Sequence, residues 1–288
     1  MSTNAASATL AVIGGSGIYQ VQGLTGLREH RVETPYGAPS DVIVEGTLGE
    51  TRLLFLPRHG RGHPLPPHAV NYRANVCALK RLGATHLLSL SAVGSMKESI
   101  APGDVVVVDQ YIDFTRRRAS TFFDAGLVAH VSFADPVCPL LADAAARAAR
   151  AAGAKVHAGG TYVCIEGPQF STRAESQLYR GFGVSVIGMT ALPEAKLARE
   201  AELPYATLAL VTDYDCWHET EEVVSVEGVL EVLRKNSELG KRVVVELSAQ
   251  LPDRERSPAF QALRYATITA PEAITPEARA TLSWLLPE

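Results

Sequence analysis

Apolar runs and helical stripes alternate along this chain. Residues 8–19, ATLAVIGGSGIY, form an apolar run that enters a glycine turn, the pattern of a buried strand. Residues 30–60 read as strands joined by Gly/Pro turns and end in RLLFLPRHG. VNYRANVCALKRLG (70–83) spaces its apolar positions as a helix that stops at Gly83. ATHLLSLSAVGS (84–95) predicts a strand followed by a second turn of small residues, Ser91 to Ser95. APGDVVVVDQYIDF (101–114) predicts a strand, then a long irregular stretch from Thr115 to Pro139. Arginine runs are mostly solvated, and that is the expectation for Arg116, Arg117 and Arg118 within it.

The second half repeats the alternation. PLLADAAARAARAAG (139–153) is alanine-rich helix ending at Gly153, and KVHAGGTYVCIEGPQF (155–170) is a strand running into a Gly-Pro turn. STRAESQLYRGFG (171–183) predicts a helix starting at Ser171, with Glu175 one place too far for a strict capping box. VSVIGMT (184–190) is a short strand, LPEAKLAREAEL (192–203) a helix with proline near its start, and PYATLALV (204–211) a buried strand. The last strong helix spans 225–250, with Val226, Val229, Leu230 and Leu233 on its apolar face. Beyond Leu251 the prolines multiply and the chain reads as irregular. Strands alternating with helices predict an α/β fold: a single domain (1–251) around a central, mixed, largely parallel β-sheet flanked by helices. Residues 252–288 would be an extension packed on the body or on a neighbouring subunit.

Composition narrows the classes. The chain has 288 residues, 47% hydrophobic, ample for a large core, and a net charge of −4 that offers nothing to a phosphate backbone, so nucleic acid is not an expected partner. Cys77, Cys138, Cys164 and Cys216 fit neither a zinc ribbon nor a disulfide scaffold, which predicts reduced thiols and a cytoplasmic enzyme. No apolar run is long enough for a membrane span, and the N-terminus has no signal-like pattern.

In open α/β sheets ligands bind beyond the strand ends, where the polar motifs of this chain gather. IGGSGIY offers an anion nest from backbone N–H groups with the Ser16 hydroxyl; its spacing is wrong for a dinucleotide fingerprint. LPRHGRGH puts Arg58 and His59 at a strand end, donors suited to phosphate. His59, His63 and His68 could suggest metal, but the intervening glycines and prolines exclude a regular helix, so no metal is expected. CIEGPQFS carries Glu166, which needs a donor partner, and Phe170, more readily a core residue than a stacking platform. TDYDCWHE, after a buried strand, sets Asp213 and Asp215 two apart. If the backbone stays extended, their carboxylates point the same way.

Together IGGSGIY, ETPYGAPSD, RHGRGH, VNYRANVCALKRLG, SAVGS, PGDVVVVDQYID, IEGPQFSTRAES, GMTALPEAKLARE and TDYDCWHE resemble the purine nucleoside phosphorylase superfamily, in particular its trimeric members acting on S-methyl-5′-thioadenosine, in family order over Leu10 to Leu247. The resemblance implies phosphorolysis of that nucleoside to adenine and 5-methylthioribose 1-phosphate, with inorganic phosphate as co-substrate and no other cofactor. It implies that Ser16, Arg58, His59, Ser91, Ala92 and Thr190 line the phosphate, with Ala92 and Met189 also against the ribose. Phe170, Ser171 and Ile187 would border the base, and Val226 and Val229 the methylthio group. His130 would reach a neighbouring subunit's sugar in a homotrimer. Asp213 would be the acid at purine N7 and Asp215 an ionised acceptor for the 6-amino group. Gly188 departs from the asparagine of eukaryotic relatives. The remaining alternatives are a phosphorylase preferring methylthioinosine, adenosine or inosine, and a non-catalytic nucleoside-binding protein.

Overall fold

A computed structural model describes residues 8–15, 18–218 and 226–286, with backbone alone for 226–230 and 233. Its strands are β1 (Thr9–Gly14), β2 (Thr25–His30), β3 (Ile43–Leu48), β4 (Thr51–Pro57), β5 (His86–Ser95), β6 (Val105–Val107), β7 (Gln110–Asp113), β8 (Val156–Ala158), β9 (Thr161–Cys164), β10 (Val186–Gly188) and β11 (Tyr205–Asp213). Its helices are α1 (Tyr72–Arg81), α2 (Pro139–Ala151), α3 (Arg173–Gly181), α4 (Glu194–Glu200), α5 (Val226–Ser248) and α6 (Pro276–Leu282).

All eleven strands join one mixed sheet. β1 runs parallel to β4 and β5, and β5 parallel to β11, so these four strands end at one edge. The alternating strand period divides the core between the two faces. In β1, Ala11 and Ile13 join the α1 and α4 side with Val76 and Leu197, while Leu10 and Val12 join the α2 and α5 side with Ala145 and Val243.

Several elements differ from the sequence expectation. β2 has no apolar alternation and is almost wholly exposed; it forms as an edge strand because the unpaired edge of β3 accepts it. The predicted strand at 101–114 breaks into β6 and β7, and that at 155–170 into β8 and β9, each half pairing with a different neighbour. SAVGS is not a turn: β5 runs on to Ser95 because its second half pairs with antiparallel β10. α3 begins later than expected, at Arg173, and Thr172 with Glu175 makes a full capping box.

The tail after Leu251 packs on this protomer's own body and includes α6. His86 Nε2 lies 2.9 Å from the Pro252 carbonyl, Glu202 accepts from the Leu263 N–H at 2.9 Å, and Ala129 bridges to Thr267. The Trp284 ring meets Phe122 edge-on at 4.9 Å.

Candidate active site

β1, β4, β5 and β11 deliver their C-terminal ends to one place, and β10 enters from the opposite direction. Arg58 follows β4, tied by its N–H to the Gly14 carbonyl at 2.9 Å. Its guanidinium is buried and largely committed to protein: Nε and Nη2 bind the two oxygens of Glu194 at 3.0 and 3.2 Å, Nη1 donates to Leu90 O at 3.0 Å, and Nη2 to Ser89 Oγ at 2.7 Å. One Nη1 hydrogen has no partner among the described residues. The expected free fork is therefore a braced one. Its brace, Glu194 at the start of α4, escaped the sequence reading because only the fold brings it beside Arg58; Tyr205 also donates to it at 3.0 Å.

His59 Nδ1 faces the Leu65 carbonyl at 2.8 Å, and its ring stacks on His63 at 4.1 Å. Burial, then the Arg58 charge, pushes its pKa down to about 4. The ring is thus neutral with its proton on Nδ1, and Nε2 is an acceptor rather than the donor expected. No group of three or more metal-ligating side chains occurs among the described residues.

Ser91 and Thr190 meet because antiparallel β10 lies alongside β5. Their hydroxyls are 3.1 Å apart and both residues are buried. Ala92, next to Ser91, is exposed, Met189 is half-buried, and Ile187 pairs with Gly94 in the sheet. Ser16 lies outside the described residues, as do the side chains of Val226 and Val229, although both belong to α5.

Three residues further along β5, roughly 10 Å at a strand's rise, stands the carboxylate pair. A Cβ added to Gly94 would touch Asp213 Oδ1 at 3.0 Å, Ile187 Cγ2 at 3.1 Å and Asp215 Cβ at 3.3 Å, so residue 94 must be small for both acids to converge. The backbone is not extended there: Asp215 has φ 55° and opens a short 3-10 turn. Asp213 accepts from Thr212 Oγ1 at 2.6 Å and from the Asp215 N–H at 2.8 Å, so its oxygens are already supplied with donors. Asp215 accepts from Ser176 Oγ at 2.5 Å; burial, and then the Asp213 charge, raises its pKa. Burial thus biases Asp215 toward its protonated form.

Ser171 Oγ is buried without a hydrogen-bond partner among the described residues, whereas its carbonyl accepts from Cys216 Sγ at 3.4 Å. Phe170 is 82% exposed, against the core position expected of it. His130 is exposed, its N–H bonded to the Ala266 carbonyl of the tail.

Arg116 and Arg117 are exposed, as expected of a solvated arginine run, but Arg118 is not. Its side chain is buried and donates to Glu166 Oε1 (2.9 Å), Tyr72 Oη (3.1 Å) and the carbonyls of Glu166, Met189 and Leu192 (2.7, 2.6 and 2.7 Å). The Arg116 and Arg117 N–H groups reach Glu166 Oε2. Glu166 thus finds its donors in the protein, and the 115–118 segment is ordered against the turns before Pro168 and after β10. The signal was present in the sequence only as an arginine without a marker of burial.

The family model described as the phosphorylase superfamily matches residues 9–249. The chain is 55% identical over 279 residues to an S-methyl-5′-thioadenosine phosphorylase of Geobacter sulfurreducens, covering 96% of this chain and 97% of that one. It is 52% identical to the Bradyrhizobium diazoefficiens protein of the same name, over 94% of each. Among solved structures, a methylthioadenosine phosphorylase from an antarctic soil metagenomic library superposes with a TM-score of 0.92 at 51% identity, covering 98% of this chain and 100% of that one. A point mutant of the Schistosoma mansoni adenosine/methylthioadenosine phosphorylase, in complex with methylthioadenosine, superposes with a TM-score of 0.80 at 39% identity, covering 85% of this chain and 93% of that one.

Proposed function

The chain belongs to the phosphorylase superfamily, and from that premise we propose that it is a pentosyltransferase cleaving S-methyl-5′-thioadenosine with inorganic phosphate to adenine and 5-methylthioribose 1-phosphate. The observation that carries this reading is the pairing of two polar clusters that neighbouring elements set against β5. Ser91 and Thr190 sit at one end with the braced Arg58 behind them, and Asp213 and Asp215 lie roughly 10 Å along β5. That span suits a ribose held between an anion and a purine edge.

The chemistry follows from the two ends. Phosphate, oriented by the hydroxyls of Ser91, Thr190 and Ser16 and by the remaining Arg58 N–H, attacks C1′ with an oxygen. The C1′–N9 bond breaks and its electron pair enters the purine. Positioning of this kind supplies several kcal/mol of the barrier. The His59 Nε2 acceptor suits the hydroxyl of a protonated phosphate. The leaving purine is discharged at N7 by the proton of the Asp213–Asp215 pair, Asp213 lying nearest Gly94, while the other carboxylate accepts from the 6-amino group. The unpartnered Ser171 hydroxyl would take a further base atom. Phe170, Ile187 and Met189 would bound the base and sugar, and Val226 and Val229 the methylthio group.

The working unit in this reading is a homotrimer. Support comes from the exposed apolar strip of Val128 (46%), Tyr265 (86%) and Ile268 (66%) around His130, a face suited to burial against another copy. No helix among the described residues is long and apolar enough to cross a membrane, and a cytoplasmic location completes the proposal. The deciding experiment measures free base released from methylthioadenosine, adenosine, methylthioinosine and inosine, with and without phosphate. Release that ignores phosphate would overturn the reading.

A further inference from the structure

Tyr162 of β9 is wholly buried, yet its hydroxyl stands among the polar groups of the anion end. It lies 3.2 Å from Ser91 Oγ and 3.4 Å from the Thr190 N–H. Ser91 Oγ is in turn 3.1 Å from Thr190 Oγ1. The same hydroxyl occupies the space that a side chain at residue 188 would need. A Cβ there would collide with Tyr162 Oη and lie 2.6 Å from its Cζ. Gly188 and Tyr162 are therefore complementary: the glycine makes room for the phenol.

Resting on the phosphorolysis reading, we infer that Tyr162 is a positioning residue for phosphate: it orients the Ser91 and Thr190 hydroxyls so that they donate toward the anion. The argument is one of donors and acceptors. The Thr190 N–H can only donate, so it occupies a lone pair of Tyr162 Oη. The phenol proton then goes to the other neighbour, Ser91 Oγ. Ser91, its lone pair occupied, directs its own proton to Thr190 Oγ1 or to the anion, and the Thr190 proton points outward. Removal of the phenol hydroxyl lets Ser91 turn its proton inward, toward the Ala92 carbonyl at 3.5 Å or a filling water. Burial pushes the Tyr162 pKa up to about 12, so the phenol keeps its proton at working pH. The cooperative ordering of such a chain is what a buried hydroxyl network provides.

The test is Tyr162→Phe, which removes one oxygen and keeps the ring that fills the core. The expected result is a phosphate KM raised about tenfold and a matching loss of phosphate binding in calorimetry with inorganic phosphate alone. The methylthioadenosine KM should stay within twofold, and the melting temperature within a few degrees. In a Ser91→Ala background, Tyr162→Phe should add less than twofold to the phosphate KM, because it acts through Ser91. An unchanged phosphate KM in Tyr162→Phe would overturn the inference, as would equal rises for both substrates or a full additional effect over Ser91→Ala. Wild-type protein that binds phosphate but leaves every nucleoside intact would instead overturn the phosphorolysis reading, with the calorimetric comparison still deciding the role of Tyr162.

Discussion

The Asp215 backbone N–H donates to Asp213 Oδ1 at 2.8 Å, so the second acid of the pair holds the first by its main chain while presenting its own carboxyl to Ser176. The left-handed backbone at Asp215 makes this possible, and it leaves the two acids chemically unequal.

Asp213→Asn should keep nucleoside binding and lower kcat by about 10²- to 10⁴-fold, the range for losing a general acid. Near-normal turnover in the variant, measured by base release, would end the acid role of Asp213. Asp215→Asn should weaken the preference for 6-amino over 6-oxo purines, read as the ratio of kcat/KM values for methylthioadenosine and methylthioinosine.

A proton held by the pair makes kcat fall as pH rises through the pair's upper pKa. Ser176 donates to the ionised form of Asp215 and so lowers that pKa; Ser176→Ala should move the alkaline limb to higher pH. Stability carries the same sign. A carboxyl whose folded pKa is raised disfavours the folded state increasingly as pH climbs from the ordinary carboxyl range through the folded value. Melting curves of Asp215→Asn should thus show a gain over wild type at neutral pH that disappears in acid.

Glu194→Ala leaves the buried Arg58 guanidinium without its carboxylate. Loss of one partner of a buried pair costs about 3–5 kcal/mol. For a chain of this size that is roughly 10 °C of melting temperature. Glu194→Gln, which can still accept from Arg58, should recover much of the stability but not the phosphate KM, as calorimetry and steady-state kinetics will separate.

Trp284→Ala should destabilise by about 2 kcal/mol, less than a fully buried tryptophan, by stripping the edge contact from Phe122. The tail's packing on the body predicts that a chain ended at Leu251 loses far more stability than this, measured by denaturant melts. Arg118→Ala should raise the methylthioadenosine KM several-fold, since it frees the Glu166 and Met189 segments.

Much of this was legible in the residues. The helix at Tyr72–Arg81 follows its apolar spacing and stops at Gly83, whose φ of 87° needs a glycine. β1, β4 and β11 are continuous apolar runs, and buried parallel strands have no other way to be written. β2 was not legible, because an exposed edge strand needs only a partner's free hydrogen bonds. The fate of Arg118 and the role of Glu194 were equally hidden: nothing local distinguishes a solvated charge from one that long-range folding will bury beside an acceptor.

TDYDCWHE shows where the division falls. By itself the sequence determined that two acids leave a buried strand, that small residues line the neighbouring strand end, and that the order of these motifs belongs to the phosphorylase superfamily. Those are properties of residue type and spacing. Only the tertiary structure decided that Asp215 turns left-handed, that Gly94 lets both carboxyls converge, and that Tyr162 fills the place of a side chain at Gly188. Each depends on contacts between segments far apart in the chain, brought together where β5 pairs with β10 and β11 and where β10 pairs with β9.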